Sequence, residues 1–246
     1  MKLKPFVLTL ESEVKGVSQL GYEVSSNERQ LEYLVENRKK ILNRVLVRWG
    51  NSYDFYGEHR FLTTINKKDA IYINVNKPLA LQKMSVVTDT PKIFTHQVPP
   101  NTWAVVRPRR HSCGNEFRVK RGPFNILDTT YATQYYKTNT EFRVWFAFDA
   151  ILIAKRIGKA TNQFVCRSNW DYDFSPVQFL TQFRLIKTTT RAKNIIGLDL
   201  GAADIIMVDG KPKVLELNSA PELDDPAIVS FYRTSIDNFV DSLYNV

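Results

Sequence analysis

The chain has few cysteines and no long apolar run, and both absences narrow the class of protein. Cys113 and Cys166 are the only two cysteines in 246 residues, and they lie too far apart to form a metal-type pair. No apolar run approaches the roughly 20 residues that a membrane-spanning helix needs. The apolar patch near the start is ended by Glu11 and Glu13, and no small-residue cleavage site follows it. We therefore expect a cytoplasmic protein with reduced thiols and no membrane partner.

Several common catalytic motifs are also missing. The sequence contains no G-x-x-x-x-G-K-S/T phosphate loop, no G-x-G-x-x-G, no H-E-x-x-H and no G-x-S-x-G. The three histidines, His59, His96 and His111, are scattered along the chain. The familiar nucleotide-binding loops, the zinc-protease motif and the hydrolase nucleophile motif are therefore excluded as sources of function.

Acidic residues are outnumbered by basic ones. The chain has 34 Lys and Arg against 25 Asp and Glu, which gives a formal net charge of +9. This excess fits a lysine-rich surface, and it equally fits an electropositive site for nucleotide phosphates, nucleic acid or an acidic peptide. The charge alone does not separate these possibilities.

Apolar runs and turn residues alternate along the chain, without internal repeats or flexible linkers. The pattern predicts a helix over about residues 28–42, a mainly helical connector over 174–196 and a terminal helix over 225–244. Strands dominate the rest, so we expect the α+β class. The predicted strands before the connector are Arg44–Trp49, Trp103–Arg107, Phe117–Lys120, Tyr131–Tyr136, Phe142–Phe148 and Ala150–Arg156.

The most informative segment is a predicted hairpin near the end of the chain. Two apolar runs, Ile205–Val208 and Val214–Leu217, flank an Asp-Gly turn. Asp204 opens the first run, and Glu216 and Asn218 point to one face of the second because side chains alternate along a strand. Two carboxylates and a carboxamide form an oxygen-rich site that suits Mg²⁺. The alternative is an exposed strand, but most neighbouring residues are apolar, as in strands covered on both faces.

The length of the turn decides whether these groups meet. A two-residue loop, Asp209–Gly210, would place Asp204 opposite Leu215, whereas a loop extended to Lys211 would place it opposite Glu216. We predict the second register, produced either by the longer loop or by a β-bulge with the same effect.

Three basic segments precede the hairpin. The first is a strand-end arginine, Arg107, followed by a loop, Pro108–Gly114, with three basic residues, a serine and a glycine, a composition that suits phosphate oxygens. The second is a strand that bears Glu and Arg on one face, and the third places basic groups at strand ends. A basic turn, a cross-strand ion pair and a solvated sheet edge are the respective alternatives. The segments are Arg107–Asn115, Thr140–Phe146, and Lys155–Arg156 together with Cys166–Asn169.

These four signals resemble the ATP-grasp superfamily in their order and spacing, over roughly Ala70 to Leu223. The most specific part is G-L-D-L-G-A-A-D followed by V-L-E-L-N-S-A-P. The sequence is most similar to ligases that join a carboxylate to an amine or peptide, and especially to ATP-grasp proteins of bacteriophages. The resemblance implies an ATP-grasp fold, in which two α+β lobes with antiparallel sheets clamp ATP. It implies an N-terminal lobe over 1–69, a small lobe with a phosphate lid over 70–130 and a large lobe with a Mg²⁺ site over 131–246.

The resemblance also implies roles for individual residues. The magnesium ligands would be Asp204, Glu216 and Asn218, and the catalytic residues Arg143, Arg167 and Asn169. The nucleotide-binding residues would be Lys83 and Arg107, the lid residues His111, Ser112 and Gly114, the adenine-side hinge Gln134, Tyr135 and Tyr136, Glu141 at the ribose, and Lys155 or Arg156.

From this resemblance we expect an ATP- and Mg²⁺-dependent ligase. It would activate a carboxylate as an acyl phosphate and join it to an amine, either of them an amino acid or a peptide. If the chain is encoded by a phage, the compartment would be the host cytoplasm. Two alternatives stay open. One is a kinase that uses the same ATP site, and the other is a non-catalytic basic module that binds nucleic acid or a partner protein.

Overall fold

Three sheets follow one another along the chain in the computed structural model. The structure describes residues 5–27, 33, 36, 44–54, 58–109, 118–137, 140–158 and 170–244. Within these residues, no helix combines the length and the apolar character that crossing a membrane requires.

The first sheet, the N-terminal sheet, is parallel, with the strand order β2-β1-β3-β4. Its central strands are buried on both faces, which is typical of parallel sheets and explains why most of their residues are apolar. The strands are β1 (Phe6–Thr9), β2 (Glu23–Ser25), β3 (Val45–Trp49) and β4 (Thr63–Ile65), with the short helix α1 (Val14–Val17) and 3₁₀ turns at Glu11–Glu13, Ser18–Leu20 and Glu58–Arg60.

The second sheet, the small sheet, is antiparallel, with the order β5-β10-β7-β8, and a separate two-stranded pair, β6-β9, adjoins it. The strands are β5 (Ile93–Phe94), β6 (Gln97–Val98), β7 (Trp103–Pro108), β8 (Arg118–Arg121), β9 (Phe124–Asn125) and β10 (Thr130–Gln134).

The third sheet, the large sheet, is antiparallel, with the order β13-β12-β11-β14-β15. Helices α2, α3 and α4 pack on one face of this sheet, which we call the back face. Helix α5 and the N-terminal sheet pack on part of the opposite face, the front face. The strands are β11 (Glu141–Ala147), β12 (Ala150–Gly158), β13 (Trp170–Asp173), β14 (Leu200–Val208) and β15 (Lys211–Asn218), and the helices are α2 (Lys68–Val75), α3 (Lys77–Met84), α4 (Phe179–Ile196) and α5 (Pro226–Tyr244).

Local signals set the helix ends. The Asn76 side chain accepts a hydrogen bond from the Leu79 amide at the start of α3. At the start of α5, Asp225 Oδ1 accepts the Ala227 amide at 2.7 Å. Helix α4 ends at Ile196, and the next residue, Gly197, has a φ of 85°, a left-handed conformation that glycine adopts at little cost.

The front face of the large sheet changes from polar to apolar along its central strand, β11. On β11 it presents Glu141 and Arg143 and then the buried Trp145, and on β14 it presents Asp204 and then Ala202. The apolar end is covered by α5 and by the N-terminal sheet, which share one core cluster with it. The polar end of the front face therefore lies next to this core cluster and is not part of it.

One asparagine joins the N-terminal sheet to the large sheet. Asn66 follows β4, is fully buried, and donates its backbone amide to Asp199 Oδ2 at 2.7 Å. Its side-chain oxygen accepts the amides of Asp199 and Leu200 at 2.8 and 3.1 Å. Because β14 begins at Leu200, this joint fixes the strand that bears Asp204 against the N-terminal sheet.

Several sequence expectations are confirmed with shifted limits. The predicted strand Tyr131–Tyr136 is β10, which ends at Gln134, and the helical connector begins at Phe179. The predicted helix over 28–42 lies almost wholly outside the described residues. The predicted limit between the small and large lobes, at 130/131, falls within β10. All of β10 belongs to the small sheet. The three lobes remain a prediction.

Candidate active site

The hairpin of β14 and β15 places the predicted metal ligands together through a bulge. The loop is the two-residue Asp209–Gly210 turn, because Val208 pairs with Lys211. The register then shifts between Ile205 and Asp204, so that Asp204 faces Glu216. The predicted pairing is confirmed, and its cause is the bulge rather than a longer loop.

The oxygen groups of the hairpin lie on the front face of the large sheet. Asn218 pairs with Ala202, two residues from Asp204, so its side chain joins the same face. Asn218 Nδ2 lies 3.5 Å from Asp204 Oδ2. In the described part of the chain, no three His, Cys, Asp or Glu side chains form a potential metal cluster. A cation here would have two protein carboxylates and the carboxamide oxygen, and would need further oxygen ligands from a substrate.

Two arginines bind the Asp204 carboxylate. Arg143, its neighbour on β11, donates Nη1 to both carboxylate oxygens at 3.0 and 3.1 Å. Arg156 Nη2, from β12, lies 3.3 Å from Asp204 Oδ1. The side chains of Arg143 and Asp204 are only 10% and 6% exposed, so this is a buried ion pair rather than a surface one.

Arg156 bridges two carboxylates and meets a tyrosine. Its Nη1 donates to Glu141 Oε1 at 2.6 Å, and its side chain also hydrogen-bonds the Tyr172 phenol on the adjacent strand β13. Burial favours a lower pKa for Arg156, but Asp204 and then Glu141 outweigh it and raise the pKa above its ordinary value. Burial raises the pKa of Tyr172, and the charges of Arg143 and Arg156 oppose this rise. Arg156 therefore stays charged and Tyr172 neutral near pH 7.

The structure distinguishes the two neighbouring basic residues of β12, Lys155 and Arg156. Arg156 shares the front face with Arg143, whereas Lys155 pairs with Phe142 and is exposed. Of the two predicted alternatives, Arg156 is therefore the residue near Asp204. Tyr172 was not predicted, because its link to Arg156 depends on the strand order and not on any local motif.

A lysine of α3 reaches the hairpin, and it is not the predicted one. Lys77 Nζ donates to the Leu217 carbonyl at 2.6 Å and lies 3.9 Å from Glu216 Oε2. Lys83 is exposed in the last turn of α3, and among the described residues it makes no hydrogen bond or ion pair with the site. Lys77 is in the first turn of the helix, where the chain passes β15. The sequence signal that could have identified Lys77 was Asn76, a helix-capping residue that places Lys77 at the start of α3.

The small sheet contributes an arginine with hydroxyl partners. Arg107 on β7 donates Nη1 to Thr133 Oγ1 at 3.3 Å, and it hydrogen-bonds the phenol of Tyr131, its partner on β10. Burial raises the pKa of Tyr131 to about 12, with Arg107 lowering it and Glu216 raising it. Tyr131 shares a core cluster with Val214 and Leu217 of β15, so the face of the small sheet that bears Tyr131 and its partner Arg107 packs towards the hairpin of the large sheet.

The predicted hinge residues connect these two sheets. Gln134 ends β10, and the Tyr135 amide donates to the Trp103 carbonyl at 2.9 Å. The Tyr136 hydroxyl lies 3.1 Å from Gln134 Oε1, and Lys213 Nζ lies 5.2 Å from the centre of the Tyr136 ring. Five other predicted residues, His111, Ser112, Gly114, Arg167 and Asn169, lie outside the described residues.

The arrangement suits a polyanion held with a divalent cation. Oxygen ligands for a hard cation lie on the large sheet. Cations that could neutralise phosphate oxygens lie on the large sheet, on α3 and on the facing side of the small sheet. These groups are Asp204, Glu216 and Asn218 for the cation, and Arg143, Arg156, Lys77 and Arg107 for the anion.

Comparison with known proteins identifies the fold. Neither a protein-family sequence model nor a curated protein sequence matches the chain. The D-alanine–D-alanine ligase of Bacillus anthracis matches with a TM-score of 0.67 at 12% identity, over 96% of this chain and 95% of that one. The L-amino acid ligase of Bacillus licheniformis matches with 0.66 at 12%, over 98% and 75%. The ATP-grasp ligase PsnB, solved with a minimal precursor, matches with 0.67 at 13%, over 98% and 99%. The chain therefore has the α+β ATP-grasp fold.

Proposed function

We propose that the protein is an ATP- and Mg²⁺-dependent ligase that joins a carboxylate to an amine. The observation that supports this most strongly is the bulged hairpin register, which puts Asp204 opposite Glu216 beside two arginines. Ligases of the same fold support it further, since the Bacillus anthracis enzyme has been solved with ATP and PsnB with Mg and ADP.

The donor set fits Mg²⁺. Asp204, Glu216 and Asn218 offer hard oxygen ligands, and Mg²⁺ is commonly held by one or two protein carboxylates together with substrate phosphates. When bound, Mg²⁺ would neutralise phosphate charge and polarise the transferred phosphoryl group. The Asn218 carboxamide nitrogen lies 3.5 Å from Asp204 Oδ2. The carboxamide oxygen therefore points away from Asp204 and does not bond to it.

The basic residues would bind the phosphates. Arg107 approaches from the small sheet, while Arg156 and Lys77 approach from the large-sheet side. Charged donors aimed at phosphate oxygens stabilise the charge that develops during phosphoryl transfer. We assign the adenine edge to the hinge, Gln134 to Tyr136.

The reaction class follows from these roles. A substrate carboxylate oxygen would attack the γ-phosphorus, and ADP would leave, giving an acyl phosphate. An amine would then attack the acyl carbon and inorganic phosphate would leave, with Arg143 stabilising the oxyanion. We further propose an amino acid or a peptide as one substrate, because the relatives in this fold include an L-amino acid ligase and a ligase bound to a precursor. We also propose that the protein is related to the ATP-grasp proteins of bacteriophages that its sequence resembles.

The test is product analysis with ATP, Mg²⁺ and a panel of amino acids and short peptides. We expect ADP, phosphate and a new amide in equal amounts, with the amide identified by mass spectrometry. Added hydroxylamine should trap the acyl phosphate as a hydroxamate. A stable phosphoester without free phosphate would instead identify a kinase. Absence of ATP turnover and of ATP binding, together with salt-dependent binding to DNA or RNA, would contradict the proposed ligase.

A further inference from the structure

The Asp204 carboxylate has donors on both of its oxygens. Arg143 Nη1 lies 3.0 and 3.1 Å from the two oxygens, and Arg156 Nη2 lies 3.3 Å from one of them. A Mg²⁺ ion must approach a carboxylate oxygen to about 2.0–2.1 Å. A cation at that distance would repel a guanidinium on the same oxygen. Both arginines therefore oppose cation binding at Asp204 until at least one of them moves away.

The two arginines differ in what they can do after moving. Arg156 already has a second carboxylate, Glu141, at 2.6 Å, and the Tyr172 phenol beside it. Asp204 is the one carboxylate within ion-pair distance of Arg143 among the described residues. The Arg143 Nε is also buried and lacks a hydrogen-bond partner in the described part of the chain. A buried guanidinium separated from its carboxylate needs another anion, because an unpaired charge in a buried position is strongly unfavourable.

Glu216 is countered in a similar way. Lys77 Nζ lies 3.9 Å from Glu216 Oε2, with its side chain 14% exposed. Both carboxylates among the predicted metal ligands, Asp204 and Glu216, thus have protein cations as partners. Phosphate oxygens are the anions that could take over these cations when a metal ion takes the carboxylates.

We propose that Arg143 and Arg156 make cation binding at Asp204 dependent on nucleotide phosphates. The arginines pass from the Asp204 carboxylate to the phosphates as the cation takes their place, and Glu141 is the second partner that keeps Arg156 nearby. This inference rests on the proposed function, and it assigns to Glu141 a role in positioning Arg156. The two ligands then strengthen each other's binding by the same factor.

The test measures Mn²⁺ binding to the full chain by electron paramagnetic resonance of the free ion. Each variant is titrated with and without β,γ-methylene-ATP, after correction for Mn²⁺ bound by the analogue alone. For the wild type we expect weak binding of Mn²⁺ alone and a gain of about 5- to 150-fold with the analogue. Arg156→Gln should bind Mn²⁺ alone more tightly and show a smaller gain.

Two further variants keep the test decisive. Glu141→Gln removes the second partner of Arg156, so it should weaken binding of Mn²⁺ alone and enlarge the gain, opposite in sign to Arg156→Gln. Arg191→Gln removes one positive charge from the exposed side of α4 and should match the wild type. Circular dichroism confirms that each variant is folded, and Arg156→Lys replaces Arg156→Gln if the latter does not fold.

The outcomes separate this inference from the proposed function. Equal Mn²⁺ affinity and equal gain in the wild type, Arg156→Gln and Glu141→Gln would overturn the coupling. If the wild type still binds the analogue in that case, the proposed ATP site is retained. Failure of the wild type to bind the analogue at any Mn²⁺ concentration would overturn both.

Discussion

The two sheets that meet at the candidate site hold their arginines in different ways. On the small sheet, Arg107 contacts the neutral hydroxyls of Thr133 and Tyr131. On the large sheet, Arg143 and Arg156 contact the carboxylates of Asp204 and Glu141. Arg107 thus contacts two uncharged hydroxyls, whereas Arg143 and Arg156 each contact at least one carboxylate.

This difference separates stability from ligand binding. A buried carboxylate–guanidinium pair is costly to break, because the remaining charge stays buried. An arginine bound to hydroxyls contributes only ordinary hydrogen bonds to the fold. We therefore expect changes at Asp204 to affect folding as well as binding, and changes at Arg107 to affect mainly the binding of an anion.

The largest effect is expected for Asp204→Asn. This change leaves Arg143 buried beside a neutral amide and should lower the free energy of unfolding by about 3–5 kcal/mol. Urea unfolding followed by circular dichroism measures it. The double variant Asp204→Leu/Arg143→Leu removes both charges and should recover much of the loss. A loss below about 1 kcal/mol for Asp204→Asn would mean that the pair behaves like a surface ion pair.

A smaller and different effect is expected for Arg107→Gln. Loss of the hydrogen bonds to the Thr133 and Tyr131 hydroxyls should lower the free energy of unfolding by about 0.5–1.5 kcal/mol. The affinity for a nucleotide should fall by about 1.5–3 kcal/mol, since a charged donor to phosphate is lost. Calorimetry with β,γ-methylene-ATP and Mg²⁺ measures this affinity. Arg118→Gln is the control, because Arg118 pairs with Val106 and so lies on the opposite face of the small sheet. An equal loss in both variants would contradict a specific role for Arg107.

The smallest effect concerns pH and Tyr131. The pKa of its phenol is about 12 in the folded protein, against about 10 for a model tyrosine. A pKa raised on folding gives stability that is fully present below pH 10 and is lost as the pH rises towards 12. Tyr131→Phe should therefore lose less stability than the wild type between pH 9 and 11, by on the order of 1 kcal/mol. Urea unfolding at both pH values checks this, and identical losses would contradict the raised pKa.

The sequence predicted the parts of the site that depend on local pattern. The polar positions in the two apolar runs led to the predicted pairing of Asp204 with Glu216, whereas the two-residue Asp-Gly turn alone would have placed Asp204 opposite Leu215. The alternation of β11 likewise placed Glu141 and Arg143 on one face, as observed.

Contacts between distant segments were not predictable in the same way. The strand β1 has only four residues, of which three are apolar, so its pattern did not predict a parallel sheet. The partners of Arg156 depend on the order of the strands in the large sheet, and the choice between Lys77 and Lys83 depends on which turn of α3 passes β15. These are properties of packing, which a single sequence does not display.

The most direct test of the account is calorimetric titration of β,γ-methylene-ATP into the wild type and into Glu216→Gln, with and without Mg²⁺. Glu222→Gln is the matched control, since Glu222 is an exposed carboxylate shortly after the hairpin. We predict that Mg²⁺ strengthens binding of the analogue in the wild type and in Glu222→Gln. In the presence of Mg²⁺, Glu216→Gln should bind the analogue about tenfold more weakly than the wild type, a loss of about 1.4 kcal/mol. Equal Mg²⁺-dependent affinity in all three proteins would contradict a metal–nucleotide site at the hairpin.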